Sequence, residues 1–473
     1  MMDDEFEMPK RSRSPVYIGG ALVLLVFSAG VAWSMMGGSN PAQALFGPKT
    51  WVASHDSALA KVDLVKVHED LIPSWGIASA NREFEGAEEA EKAGYAAISA
   101  AIEPDQNLSE IFEQIRELTT APVENADELL SLVDAWSAYL DKQGAPYLLQ
   151  GNVATTSAGS FLYLKSYEVQ RDVWLKVGVE RIRAREVSRM DRTNIMEQYL
   201  GATAPGQADA TVVLDRLSEF AISTVWPLLA TEELTPLGLK VVEEMRANLP
   251  AEHLAILTEY APERVQMQQA LDSLASRREC GSTFMIRSIP YSGLEERDIE
   301  GITRLARQVR NHRCPDITQE EAEILADTSK SFAGEPELGS AIRSLVAMLA
   351  RNVAVHEARH VADDRAVNGL RETMDCLDCP DMSTMAVAEL SAYLASLSWS
   401  PTPYTTFFQA CDATDGQGGP HAMAMDLILD RLDTFCGEAP AELSKHAKAL
   451  EVSLLGRSVA VEVDELSSAG GVK

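Results

Sequence analysis

The longest uninterrupted apolar run lies near the N-terminus and predicts a transmembrane helix. Residues 16–36 (VYIGGALVLLVFSAGVAWSMM) contain no charged side chain. At about 1.5 Å per residue, this run is long enough to cross the ~30 Å hydrocarbon core of a bilayer. Lys10, Arg11 and Arg13 precede it, and such an excess of basic residues predicts that residues 1–15 form a cytoplasmic tail. The chain beyond residue 36 is therefore expected outside the cytoplasm, in the periplasm or the extracellular space.

A cleaved signal peptide is the alternative interpretation of this N-terminus. Ala42-Gln43-Ala44 has the small-residue pattern of a cleavage site. The apolar run is longer than a typical signal-peptide core and the cleavage pattern lies some distance beyond it, which favours an uncleaved signal-anchor. Both interpretations export the rest of the chain. Residues 37–75 are rich in Gly, Ser and Pro and are expected to form a tether.

Two periodicities organise the rest of the chain. Apolar residues recur at i, i+3 and i+4 in segments such as 124–140, which predicts amphipathic helices through most of 76–300. Alternation of apolar and polar residues in 159–184 predicts two or three strands, a small antiparallel β insertion near 150–195. Helical spacing then continues through 301–473, and the sequence leaves open whether 76–300 is a separate domain or packs onto this region. The predicted fold class is mainly α, of the α+β type.

Charge narrows the range of partners. The chain has 41 Lys and Arg against 71 Asp and Glu, a formal net charge of −30. This balance argues against nucleic acid as a partner, because phosphate backbones would be repelled. The chain nevertheless contains a local basic run of Arg181, Arg183, Arg185, Arg189 and Arg192. We expect a strand face paired with acidic neighbours, and the alternative is a binding face for an acidic peptide or a lipid headgroup.

Cysteine usage fits an exported protein. The six cysteines are Cys280, Cys314, Cys376, Cys379, Cys411 and Cys436. An even number is typical of a disulfide framework in an oxidising compartment. The C-x-x-C pair at Cys376 and Cys379 is also compatible with a redox pair or half of a zinc ribbon. We expect disulfides that fix the loop around this pair, with Cys411 and Cys436 as candidate partners, and a separate bridge between Cys280 and Cys314.

One apolar helical pattern leads into a motif with metal-binding chemistry. The stretch VAVHEARHVADD places His356, Glu357 and His360 in the order H-E-x-x-H. Residues four apart lie on one face of a helix, so both imidazoles can reach a single point. Two imidazoles of this kind begin a zinc site, and Glu357 is placed to act as general base on a water. With 8 His and 71 acidic residues, chance would supply such a motif only about 0.02 times in 473 residues.

A catalytic zinc site requires a third protein ligand beside an open position. The preferred candidate is Glu389, on a helical stretch (383–399) whose face is otherwise made of Ala, Leu and Tyr. A carboxylate on such a face is costly without a partner, and a cation is a suitable one. Glu372 is the alternative third ligand. Glu389 would then be an ordinary surface glutamate at the edge of this helix face. Tyr393 and His421 are the candidate donors that stabilise an oxyanion, although His421 equally fits an ordinary residue at a helix start.

These motifs resemble the gluzincins, the zincin metallopeptidases whose third zinc ligand is a glutamate. The resemblance covers roughly residues 338–400. It implies that His356, His360 and Glu389 bind Zn²⁺ and that Glu357 is the general base. The metzincin extension is absent, since Asp363 and Ala366 occupy its positions.

The resemblance implies a zincin-like helical region near the C-terminus and a hydrolase function. The expected protein is a membrane-anchored zinc peptidase that cleaves peptides or proteins outside the cytoplasm. Its alternative is a non-catalytic, membrane-tethered helical scaffold or binding protein with a degenerate or structural H-E-x-x-H. Hydrolysis of a non-peptide amide would use the same residues.

Overall fold

The structure describes most of the chain between residues 45 and 464. A computed structural model describes residues 45–47, 49, 51, 57–80, 86–119, 123–156, 159–191, 200–203, 207–276, 319–370, 376–379, 382–414 and 419–464. The predicted cytoplasmic tail and transmembrane helix lie outside these residues, as do Cys280, Cys314 and Glu372.

The described residues are mostly helical. The N-terminal helices are α1 (Ile72–Ala80), α2 (Ala87–Ile102), α3 (Gln106–Thr119) and α4 (Ala126–Lys142). The later helices are α5 (Leu214–Phe220), α6 (Pro236–Asn248), α7 (Ala251–Ser276), α8 (Gln319–Ala333), α9 (Pro336–Leu370), α10 (Thr384–Trp399), α11 (Pro403–Thr414), α12 (Pro420–Arg431) and α13 (Leu443–Leu455). The strands are β1 (Tyr147–Thr156), β2 (Gly159–Val177), β3 (Glu180–Arg189), β4 (Gly201–Ala202), β5 (Ala210–Val213) and β6 (Val461–Val463).

The predicted β insertion is present, but the sheet is mixed rather than antiparallel. Strands β1, β2 and β3 form the expected antiparallel meander, and β6 returns from the far end of the chain to pair with β2. Strand β5 pairs with β3 in parallel and with β4 in antiparallel. The difference arises because the chain turns back between β4 and β5, so that β5 runs in the same direction as β3 and pairs beside it. Strands of two and four residues are too short for alternation to reveal them.

A first hydrophobic core lies under helices α1 to α4. The indole rings of Trp75 and Trp136 are fully buried there, and the first part of β1 and β2 covers the same core. The segment predicted as a tether (37–75) contributes to the folded body: α1 begins within it at Ile72, and Leu45 is buried in the second, larger core. Arg343 on α9 donates to the Leu45 carbonyl at 2.8 Å. Leu45 is therefore part of the folded body rather than of a free tether.

Helix α9 is the central element of the larger core. Its Leu345 and Leu349 are fully buried against residues such as Leu175 of the sheet. One core thus joins residues from both sides of position 300. By length and composition, Pro336–Ala366 is also the one described helix that could cross a membrane, but most of it is buried inside the protein. Such burial is what the central helix of a globular domain requires.

The basic run on β3 pairs with acidic residues, as the sequence predicts. Arg183 lies 2.6 Å from Asp209 and 2.8 Å from Asp141, and Arg185 reaches the same two carboxylates at 2.8 and 3.0 Å. These contacts join α4, β3 and the start of β5. Arg183 and Arg185 therefore have a structural role in holding the sheet against helix α4.

His68 is a buried histidine that makes the first core sensitive to acid. It is fully buried, accepts a hydrogen bond from Trp136 Nε1 at 3.2 Å, and stacks on Tyr147 with 5.2 Å between ring centroids. Burial lowers the pKa of His68 from 6.5 to about 3. Between these two values the unfolded chain binds a proton that the folded chain does not bind. Stability therefore falls as the pH falls through this window.

Because of this pKa shift, we expect His68 to make the fold about 2 kcal/mol less stable at pH 5 than at pH 7. The substitution His68→Gln removes the titration and keeps an acceptor for Trp136. Denaturant unfolding of both proteins at the two pH values measures the effect. The variant should lose less stability on acidification than the wild type, and an equal loss in both would contradict the assignment.

Candidate metal centre

Helix α9 presents His356 and His360 side by side, as the spacing predicts. Their side chains are mostly buried, with exposed fractions of 13% and 16%, so the surrounding protein restricts their orientation. The ring centroids are 4.8 Å apart and the two Nε2 atoms are 3.1 Å apart. The helix continues without interruption through both residues because the interior residues of α9 up to Asn368 include neither glycine nor proline after Gly339. Both rings therefore point at one place from a rigid element.

Glu389 completes a three-residue cluster from the neighbouring helix. Helix α10 begins at Thr384, where the Ser383 side chain caps it by accepting from Ala386 N at 3.2 Å. One turn later, Glu389 Oε2 lies 3.3 Å from His356 Nε2 and 3.4 Å from His360 Nε2. The cluster of His356, His360 and Glu389 is close enough to hold one metal ion.

The three ligand atoms have the spacing of a tetrahedral site. With metal–ligand distances of about 2.0–2.1 Å, two ligands of a tetrahedral zinc ion are about 3.3 Å apart. The three observed separations are 3.1, 3.3 and 3.4 Å. Two imidazole nitrogens and one carboxylate oxygen are also a donor set that catalytic zinc uses. Both the geometry and the chemistry of these residues fit a zinc ion.

The Glu389 carboxylate has the environment of a metal ligand. Its Oε2 atom is buried, and it accepts no hydrogen bond of ordinary geometry from any residue that the structure describes. Burial alone would raise the pKa of Glu389, but its contacts with His356, His360 and His421 hold that pKa well below the ordinary value. A buried carboxylate is costly unless positive charge balances it, and a cation at the centre of the cluster would supply that charge.

Burial and charge act in opposite directions on His360 as well. Burial alone would lower the pKa of His360, but the carboxylates of Glu389, Glu357 and Asp363 raise it above the ordinary value. The cluster is thus an acidic environment that attracts positive charge. A proton on His360 and a metal ion at the cluster would compete for the same electron pair.

The two predicted oxyanion donors lie beside the cluster. His421 is the second residue of α12, and its Nδ1 atom lies 3.0 Å from Glu389 Oε2 and 3.1 Å from the Tyr393 hydroxyl. The Tyr393 ring packs against His356 with 4.7 Å between centroids. Burial, followed by the charges of Glu389 and Glu357, raises the pKa of Tyr393 far above its usual range. Tyr393 therefore keeps its proton and remains a hydrogen-bond donor.

Glu357 is covered by strand β4, which the sequence did not connect to the motif. The residue is 6% exposed, and Thr203 Oγ1 donates to its Oε2 at 2.8 Å. Gly201 lies so close that a Cβ atom there would be 2.6 Å from Glu357 Oε1. No local signal could reveal these neighbours, because they precede the motif by more than 150 positions.

A buried ionic network holds the ligand-bearing helices together. Arg359, inside the H-E-x-x-H motif, is fully buried and donates to Asp363 at 2.9 Å and to Glu451 on α13 at 2.7 Å. Ser391 on α10 donates to Asp363 at 2.6 Å. Because Ser391 lies two residues after Glu389, this bond fixes the position of α10 along the axis of α9. The network therefore sets the distance between the two sides of the cluster.

Two disulfides lie around the site. Cys376 pairs with Cys379 in the connection between α9 and α10, and Cys411 pairs with Cys436. The second bridge joins α11 to the segment after α12, so it encloses the helix that carries His421. The C-x-x-C pair closes on itself instead of pairing with Cys411 or Cys436. In the described residues every cysteine is bonded.

Comparison of the chain with protein-family models, with curated proteins and with solved structures gave no match. The support for the metal site is therefore the His356, His360 and Glu389 cluster itself.

Proposed function

We propose that the protein is a zinc-dependent peptidase, held to a membrane by residues 16–36 and active outside the cytoplasm. The observation that carries this proposal is the triangle of ligand atoms from His356, His360 and Glu389, with sides of 3.1, 3.3 and 3.4 Å. A zinc ion bound there would polarise a scissile carbonyl and make a water molecule more acidic. The two disulfides are consistent with an oxidising compartment.

Glu357 serves as the general base in this proposal. It follows the first ligand on the same helix, and its charge acts on both His360 and Tyr393, so its carboxylate shares their environment. A carboxylate in this position takes a proton from the attacking water and delivers it to the leaving amine.

Tyr393 and His421 serve as donors to the developing oxyanion. The two side chains contact each other at 3.1 Å and come from different helices, α10 and α12. The His421 side chain is 39% exposed, whereas Tyr393 is buried, so the pair lies at the boundary between the cluster and solvent. Preorganised donors of this kind stabilise charge that forms only in the transition state.

Strand β4 favours a peptide over a small amide as the substrate. Among the described strands, β4 ends the sheet, so one side of it has no strand partner. Gly201 of this strand touches Glu357. An extended peptide that pairs with a sheet edge gains main-chain hydrogen bonds. A peptide alongside β4 would therefore pass directly over the general base.

A hydrolysis assay of the detergent-solubilised full chain tests the proposal. An unfolded protein such as casein serves as substrate, and newly formed amino groups are counted. We expect cleavage that a chelator abolishes and that added Zn²⁺ restores, with no effect of serine- or cysteine-protease inhibitors. A chain that holds zinc but cleaves no peptide would contradict the peptidase and favour the tethered scaffold protein.

A further inference from the structure

We infer that the segment from Gly201 to Thr203 holds the Glu357 carboxylate in place, so that Thr203 is a positioning residue for the general base. This inference rests on the proposed peptidase function. Thr203 and Glu357 lie 154 positions apart in the chain. Their contact joins the end of the sheet to the middle of helix α9.

Thr203 holds Glu357 through its side-chain hydroxyl. Oγ1 donates to Glu357 Oε2 at 2.8 Å and also lies 3.3 Å from the Glu357 backbone oxygen. Hydrogen bonds to ionised groups are stronger than those between neutral groups. The bond therefore fixes one carboxylate oxygen of Glu357, and within the described part of the chain no side chain donates to the other.

Gly201 provides the space in which the carboxylate lies. A Cβ atom at this position would lie 2.6 Å from both Cγ and Oε1 of Glu357, and 2.7 Å from Val353 Cγ1. Real Cβ atoms do not approach other atoms so closely, so any side chain would displace Glu357 or α9. Gly201 does not have a positive φ angle. The need for glycine here is therefore a matter of space and not of backbone conformation.

The sheet fixes Gly201 and Ala202 in place, and Thr203 follows them directly. Gly201 pairs with Val212 and Ala202 with Thr211 on strand β5, and the Val213 amide donates to the Leu200 carbonyl at 2.9 Å. Strand β5 in turn pairs with β3. A general base misplaced by about 1 Å can cost two orders of magnitude in rate, so a rigid support has a direct catalytic consequence.

The test compares three variants of the full chain. Thr203→Val removes the hydroxyl but keeps the shape of the side chain, and Thr203→Ser keeps the hydroxyl. Thr258→Val makes the same chemical change on α7, where the hydroxyl donates to the Leu254 carbonyl of its own helix. We expect Thr203→Val to lower kcat about tenfold or more, with KM and zinc content unchanged. Thr203→Ser should recover kcat to within about threefold, as a hydroxyl-specific effect requires, and Thr258→Val should match the wild type.

A second measurement does not depend on activity. In chelator-treated protein, Thr203→Val should lower the melting temperature, but it should have no further effect when combined with Glu357→Ala. Non-additivity of this kind measures the coupling between the two side chains. If Thr203 and Glu357 are coupled in this way but the wild type cleaves no peptide, the Thr203 contact is supported and only the peptidase function is contradicted. Additive melting shifts, or cleavage by Thr203→Val at the wild-type kcat, would overturn the role of Thr203.

Discussion

Glu357→Gln should lower the rate of peptide hydrolysis by about 10²–10⁴-fold while the metal content stays unchanged. Glutamine has the size of glutamate and keeps an oxygen that can accept from Thr203, which lies 2.8 Å from the carboxylate. It cannot take a proton from water. The ligand atoms of His356, His360 and Glu389 are untouched, so the substitution separates the base from the metal site. Steady-state kinetics and elemental analysis of the same samples measure both properties.

Two outcomes would contradict the role of Glu357. A variant that hydrolyses peptides at the wild-type rate would show that another group takes the proton. A variant that loses its metal would show that Glu357 supports the cluster. A loss of melting temperature larger than that of other buried polar substitutions would point to misfolding, so the melting curve is recorded with the kinetics.

Arg359→Met should destabilise the fold by about 3–5 kcal/mol, the cost of removing one partner from a buried ion pair. Arg359 and Glu451 are both fully buried and lie 2.7 Å apart. Without the guanidinium, the Glu451 carboxylate keeps, among the described residues, its hydrogen bonds from Ser458 and the Val459 amide. Denaturant unfolding measures the change.

The double variant Arg359→Met with Glu451→Met tests the cause of this loss. Replacing both partners by apolar residues of similar volume removes the uncompensated charge, so the double variant should be less destabilised than the sum of the single variants. Asp363 still keeps contacts with Ser391 and Arg457 in that protein. As a control, Lys92→Met breaks the exposed pair with Glu88 and should change stability little. Simple additivity in the buried pair would contradict the ionic explanation.

The sequence reveals the parts of the site that depend on local spacing. His356 and His360 follow from helical periodicity, because one element places both side chains. Glu389 follows from the cost of a carboxylate on an apolar helix face, and the structure brings it within 3.4 Å of both imidazoles. Tyr393 lies one turn after Glu389, and it accordingly occupies the same side of α10.

Other parts depend on contacts between distant segments and could not be predicted. Arg359 stands between two motif residues and has the composition of a surface residue, yet it is fully buried. Its burial is possible only because Glu451 arrives from 92 positions away. Gly201 belongs to a strand of two residues, and Thr203 follows that strand directly. So short a strand has no apolar–polar periodicity from which it could be predicted. The parallel pairing of β3 with β5 is likewise invisible in the sequence, because β5 has only four residues.

Metal content of the full chain is the most direct measurement of the central claim. Elemental analysis after reconstitution with Zn²⁺ should give about one zinc per chain in the wild type. His356→Ala and Glu389→Ala should both lose it, whereas His421→Ala, outside the three-residue cluster, should keep it. Zinc that persists in Glu389→Ala would contradict the third ligand, and a wild type without zinc would contradict the metal centre itself.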